Sequence, residues 1–274
     1  MPLTFRLHTE SSIPLEVDSL KLETLRDQSL PEIEKTEIFR GNQKVPVSEF
    51  FDVSGSANED QTVVWEGNLA KVKLIGAHLT EGTVHVEGNV GMHLGAYMTG
   101  GEIRVVGDAA DWVGAEMSGG RIHIQGNAGN LLGAVYRGGR KGMRGGEILV
   151  EGNVGSEVGH TMRRGLIAIG GNCGDAAGVG MIAGTIFVFG KSGIRNGAGM
   201  KRGTIGLFGS GHSPEVLPTF RKANVYSPSF LQLYFRFLSE CRFSVPENVL
   251  RGPFQRYCGD LLEMGKGEIL TLVN

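Results

Sequence analysis

Apolar and polar residues alternate in short runs that return at a fixed interval through the middle of the chain. Laid out in blocks 83–101, 102–120, 121–146, 147–165, 166–184 and 185–203, five of the six are 19 residues long and the third is 26. A degenerate copy precedes them at 62–82, and a truncated unit opens at Thr204. Each block opens with apolar second and fourth positions: Val84/Val86, Ile103/Val105, Ile122/Ile124, Ile148/Val150, Ile167/Ile169 and Ile186/Val188. Period-two alternation over so few residues predicts a short strand with one buried face.

Glycine punctuates the blocks. Gly88, Gly107, Gly126, Gly152, Gly171 and Gly190 follow the strands, usually with Asn or Asp next (Asn89, Asp108, Asn127, Asn153, Asn172). These are expected to be corners, with glycine supplying positive φ and the amide or carboxylate bonding the local backbone. Further on, Gly95, Gly114, Gly133, Gly159, Gly178 and Gly197 form a structural turn column, and three residues beyond them stand Met98, Met117, Met162, Met181 and Met200. In the long block Met143 falls in this column if the excess is an insertion within 135–142. One methionine per coil suits a narrow interior better than a sulfur metal site.

Identical residue types at a fixed period mean units that stack, with strands about 4.8 Å apart. Helical repeats do not fit into 19 residues with glycine at four positions. Glycines at positions 6, 9, 13 and 19 also lack the six-residue step of a left-handed β-helix. The predicted fold is therefore all-β: a right-handed parallel β-helix of about seven coils on a 19-residue glycine repeat.

The flanks lack the repeat, giving three expected regions: a cap at 1–61, the solenoid at 62–211 and an extension at 212–274. In the cap, strands are expected at Leu3–Leu7, 36–40 and 44–47, the last two around Gly41-Asn42, with a helix near 20–26. Such a cap shields the apolar end and unpaired edge of the first coil. In the extension, 213–218 reads as a linker, and Ser227-Pro228 as the start of a helix to about Glu240, apolar on nearly all sides.

The 44 glycines are about twice the background share. A net charge of −2 carries no bulk signal for nucleic acid or a membrane surface, and no segment is apolar enough for a signal or a membrane span. The expectation is a cytoplasmic protein. Cys173, Cys241 and Cys258 have no paired spacing, which argues against disulfides, zinc and iron–sulfur clusters and for packing roles.

The run Gly88-Asn89-Val90-Gly91-Met92-His93-Leu94-Gly95-Ala96 resembles the GXGXG β-helix shared by the glutamate synthase C-terminal domain and the C subunit of formylmethanofuran dehydrogenase. The likeness to the dehydrogenase protein is closer. It covers the cap, the coils, the insertion and the ending from Tyr257-Cys258-Gly259-Asp260 to Gly265-Lys266-Gly267-Glu268-Ile269-Leu270. The insertion Arg140-Lys141-Gly142-Met143-Arg144-Gly145-Gly146 and the long tail look most like the C subunit of the bacterial formyltransferase/hydrolase complex. The resemblance implies a subunit of a C1-transfer assembly, with the other subunits as partners. In such an assembly formyl groups pass from tetrahydromethanopterin to a methanofuran-type carrier and leave as formate. Molybdenum or tungsten would enter only if the host is the dehydrogenase. This chain itself is expected to hold no cofactor, no metal and no catalytic residues.

The residues agree with that expectation. His85, Arg104 and His123 share an outward column, but Leu149, Ala168 and Phe187 continue it, so it is not a uniform catalytic row. Asp108, Asp111, Glu116, Glu157 and Asp175 lie scattered over unrelated columns. The glycine turns lack the lysine and helix of a phosphate loop. A stand-alone polysaccharide-binding β-helix would be marked by an exposed row of stacked aromatics, and Trp65 and Trp112 stand in different columns. A glutamate synthase-like channelling domain is the other alternative.

One feature suits a contact surface. Arg144, Arg163 and Lys201 fall in one column directly after the methionine, and Arg164 and Arg202 in the next, with Arg137, Arg140 and Lys141 close by in the insertion. Clustered cations of this kind suit an acidic partner or a polyglutamate-like carrier tail.

Overall fold

The computed structural model describes residues 1–211 and 214–273. Ser213, where the expected linker begins, lies outside them, as does His212 at the start of the expected extension.

The chain is dominated by a 13-stranded sheet. Its strands are numbered here in chain order. The cap supplies β1 (Leu3–Leu7) and β2 (Phe51–Ser54). The rungs are β3 (Thr62–Glu66), β4 (Thr83–Glu87), β5 (Glu102–Val105), β6 (Arg121–Ile124), β7 (Arg144–Val150), β8 (Arg164–Ile169), β9 (Thr185–Val188) and β10 (Arg202–Leu207). The tail adds β11 (Arg221–Tyr226), β12 (Phe254–Gly259) and β13 (Lys266–Leu272). Their order is β11-β12-β13-β10-β9-β8-β7-β6-β5-β4-β3-β1-β2. Strands β3 to β10 pair in parallel with their sequence neighbours, in the register of the repeat: Val84 opposite Ile103, Ile103 opposite Ile122, Ile122 opposite Ile148. A second ladder of single bridges runs Leu69, Val90, Ala109, Ala128, Val154, Cys173, Ser192. This is a parallel β-helix.

The interior explains the repeat. Met98, Met117, Met143, Met162, Met181 and Met200 are all fully buried in one apolar core that runs from Leu3 to Ile269. Each lies over a glycine of the following coil. A Cβ at Gly146 would come 2.7 Å from the Met117 methyl, and one at Gly165 equally near that of Met143. The block-ending glycine therefore makes room for the methionine one coil earlier.

The corner glycines need a different explanation from positive φ. Of Gly88, Gly107, Gly126, Gly152, Gly171 and Gly190, only Gly88 has φ in the left-handed range. The others are dictated by close approach: a Cβ at Gly107 would lie 2.6 Å from the Gly88 carbonyl oxygen. Stacked backbones leave no space for a side chain there. The residue after each glycine bonds the next coil rather than its own turn: the Asn89, Asp108, Asn127, Asn153 and Asn172 side chains form a ladder in which each accepts a hydrogen bond from the next coil's backbone N–H, at 2.7–2.8 Å. A parallel ladder runs through Asp111, Asn130, Ser156 and Asp175, the tenth residues of their blocks, so Asp111 and Asp175 share a column and are not scattered over unrelated ones.

Both ends differ from a simple cap and extension. In the cap, β1 continues the solenoid sheet in parallel with β3, and Phe5 stacks on Trp65 at 4.5 Å with Phe51 edge-on. Short helices occupy Leu22–Leu25 and Leu30–Glu34, and the hairpin strands are Glu37–Arg40 and Gln43–Pro46. At the other end β13 adds a further parallel rung against β10, and Gly267 lies under the Met200 methyl as the block glycines do under theirs. The tail helix is Ser229–Glu240, with Pro228 rather than Ser227 at its N-cap. Its Leu231, Phe235 and Leu238 are buried against Leu149, Ala168, Phe187 and Phe208 on the outer face of the sheet.

Candidate functional site: a basic strand edge beside an apolar groove

All eight predicted contact residues, Arg137, Arg140, Lys141, Arg144, Arg163, Arg164, Lys201 and Arg202, are exposed. A bulge modifies the columns read from the repeat. The strand register sets Arg144 opposite Arg164, because the ladder slips between Arg144 and Glu147, where Gly145-Gly146 absorb the extra residue. Arg144 nevertheless keeps its place directly after the methionine: its backbone N–H bonds the Met117 carbonyl of the coil before as those of Arg163 and Lys201 bond Met143 and Met181, so the bulge brings the two basic columns together. Arg202 in turn faces Lys266, a cation that the repeat did not reveal because it comes from the tail. Lys201 has Glu263 at 3.9 Å; among the described residues the other seven form no ion pair.

The strand starts of β7, β8, β10 and β13 thus carry a basic edge on a chain of net charge −2. Immediately beside it, the strand starts and the tail helix enclose a groove of about 620 Å³ lined by Gly145, Gly146, Glu147, Gly165, Leu166, Phe230, Leu233, Tyr234 and Phe237. Leu233, on the helix side of the groove, is 68% exposed. Such a contiguous apolar surface rimmed by charge is typical of a protein contact. Burial pushes the Glu147 carboxyl up, opposed by Arg121, whose Nε stands 3.7 Å from it and whose guanidinium lies over the Phe237 ring at 5.5 Å.

The outward residues considered for catalysis separate. His123 Nε2 lies 2.8 Å from Glu151, and Arg104 is 2.8 Å from Glu102; both line a polar pocket at the end of the tail helix with Cys241 and Arg242. His85 does not line that pocket. Of the carboxylates, Asp108, Asp111 and Asp175 are committed to the coil ladders, and Glu116 accepts the Tyr136 backbone N–H at 3.1 Å. Cys173 is buried in the bridge ladder, where burial pushes its thiol up to about 12. Among the described residues, no three His, Cys, Asp or Glu side chains gather as for a metal, and no helix is long and apolar enough to cross a membrane.

A feature that the columns concealed stands on a corner of the solenoid. Trp112 stacks on Tyr136 at 4.9 Å and 19°, His93 and Tyr97 each lie 5.5 Å from Tyr136, and His78 stacks on Tyr97 at 5.0 Å. Aromatic rings therefore do stack, but as a cluster with His93, Trp112 and Tyr136 half-buried rather than as an exposed row. His93 and Trp112 share one left-handed column (φ 66° each), and His78 and Tyr97 another (φ 62° and 58°). The insertion brings Tyr136 back over both. Non-glycine residues in this backbone region are uncommon and concentrate where a side chain must be held in place.

Comparisons with known proteins fit this geometry. A family model described as the GXGXG motif matches residues 64–216. The chain belongs to the GXGXG family. Among curated relatives, the C subunit of a molybdenum-containing formylmethanofuran dehydrogenase of Methanothermobacter marburgensis is 38% identical over 86 residues, 31% of this chain and 22% of that protein. The C subunit of a tungsten-containing formylmethanofuran dehydrogenase of Methanothermobacter wolfeii is 39% identical over 88 residues, 31% of this chain and 33% of that protein. The matched stretch thus spans a third or less of these relatives. A chain in the crystal structure of the formyltransferase/hydrolase complex of Methylorubrum extorquens with methylofuran superposes with a TM-score of 0.90 at 31% identity, covering 99% of this chain and 100% of that one.

Proposed function

We propose that this chain is a non-catalytic scaffold subunit of a C1-transfer assembly of the formyltransferase/hydrolase type. The observation that carries it is end-to-end likeness, cap, insertion and tail included, to a chain of such a complex. Formyl groups would pass from tetrahydromethanopterin to a methanofuran-type carrier and leave as formate, on active sites of other subunits. Molybdenum or tungsten would belong to the host only if it were the dehydrogenase. The three dispersed cysteines offer no cluster ligands for such chemistry here. The groove and basic edge form the proposed contact face, taking an acidic partner surface or a polyglutamate-like carrier tail, since arginine pairs bidentately with carboxylates.

Replacing Arg140, Lys141 and Arg144 together by Ser tests the face. Thermal stability should stay nearly unchanged while assembly with co-purified partners weakens, the loss growing at low salt where the wild-type attraction is strongest. Unchanged assembly and carrier affinity across a salt series would refute the contact. Formyl transfer or hydrolysis by the purified chain alone would refute the non-catalytic role.

A further inference from the structure

We infer that the cleft between the insertion and the corner of the following coil binds a small ring-bearing monoanion, its ring against Trp112, Leu131 and Tyr136 and its carboxylate on Arg137. The cleft measures about 400 Å³, within the range of small-molecule sites. It does not depend on the assembly reading, because it lies apart from the groove and shares none of its lining residues.

Its apolar wall is the continuation of the aromatic stack. Leu131 follows His93 and Trp112 in the same left-handed column, at φ 62°, and is only half-buried. Tyr136 covers His93 and Trp112, and beyond it the stack ends against the cleft. This wall is held before any ligand arrives. The Tyr136 hydroxyl lies 2.8 Å from His93 Nδ1, and its backbone N–H donates to Glu116 Oε1 at 3.1 Å. Preorganised ring faces bind with little ordering cost.

The polar side sets the charge of the ligand. Arg137 is exposed and forms no ion pair among the described residues. The carboxylate of the cleft, Glu157, already has His160 Nδ1 at 3.1 Å. Glu157 is thus hydrogen-bonded within the corner while Arg137 has no carboxylate partner among the described residues, and a planar guanidinium matches a carboxylate best. The loop tip leaves room for it: nothing lies within 4 Å of the place a Cβ on Gly138 would take.

Ligand-detected saturation-transfer NMR on the full chain, with 4-hydroxybenzoate as probe, tests the site. Saturable binding is expected, weakened about tenfold or more in Arg137→Gln and for phenol, which keeps the ring and lacks the carboxylate. Tyr136→Ala should remove binding. Because that change can also disturb the insertion, the exposed Arg137→Gln variant decides the matter by itself. Absence of transfer at about 10 mM probe, equal binding of phenol, insensitivity to Arg137→Gln, or tighter binding of the disaccharide cellobiose would each overturn the proposal.

Discussion

The outward column of the sheet runs through two different regions. On β4 to β6 it carries His85, Arg104 and His123, open to solvent or part of the polar pocket; on β7 to β9 it carries Leu149, Ala168 and Phe187, fully buried under the tail helix. The inner column is the same throughout, a β-branched pair per strand above a methionine. The repeat therefore constrains the inside of every coil, where each residue meets its copies. The outside is rewritten wherever a segment that leaves the solenoid returns to cover it. The tail does this over the strand face, and the insertion does it over the corner at His93 and Trp112.

This difference predicts the largest effects on the covered half. Phe235→Ala should destabilise by about 3–5 kcal/mol, since the ring is 2% exposed between Phe187, Phe189 and Phe208. Met117→Ala should cost about 2–4 kcal/mol through an interior cavity. Arg104→Ala, in the open half of the same outward column, should remain within about 0.5 kcal/mol. Urea midpoints measure all three, and a cost for Arg104→Ala matching that of Phe235→Ala would erase the distinction.

What could be read from the sequence follows the same line. The strands, the methionine interior and the asparagine ladder are repeated features, so each was visible several times over. Leu149, Ala168 and Phe187 interrupt an outward column, and they could have located the tail helix; they served only to argue against a catalytic row. Single events stayed hidden. The bulge at Gly145-Gly146 sets Arg144 opposite Arg164, the β13 rung comes from outside the repeat, and Tyr136 joins His93 and Trp112 across 43 and 24 positions. The corner positions gave a weak signal, because left-handed φ there is carried by His93, Trp112 and Tyr97 in the early coils and by glycine only later, at Gly180 and Gly199.

A smaller effect separates glycines that permit stacking from those that only permit a turn. Gly107→Ala should cost about 1–3 kcal/mol, as its Cβ would press on the Gly88 carbonyl and force adjacent coils apart. Gly138→Ala, at φ 85° in open space, should cost about 1 kcal/mol from backbone strain alone. Thermal midpoints of the two variants check the order, and a greater loss for Gly138→Ala would mean that the corner backbones are not closely stacked.

The smallest effect is pH dependence at the corner covered by the insertion. Burial lowers the His93 pKa, aided by Lys73 and opposed by Glu16 and Asp111, so the folded ring resists protonation more than the unfolded one. As pH falls through the unfolded value near 6.5 the unfolded state takes up the proton first. Stability should therefore be full above that pH, decline below it, and level off once the folded ring is also protonated. His93→Gln should flatten this slope between about pH 5 and 7. Tyr136 supplies the opposite limb. Burial raises its phenol pKa, so above the ordinary value of 10.0 the unfolded state ionises while the folded one stays neutral, and stability declines with rising pH. Tyr136→Phe should remove that alkaline decline and, having lost the hydrogen bond to His93, lie a constant amount below wild type at neutral pH. Thermal midpoints taken across both limbs measure these slopes. Were the acid slope to persist in His93→Gln and the alkaline slope in Tyr136→Phe, the insertion would not be seated over the corner, and the tail helix would be the one returning segment that covers the solenoid.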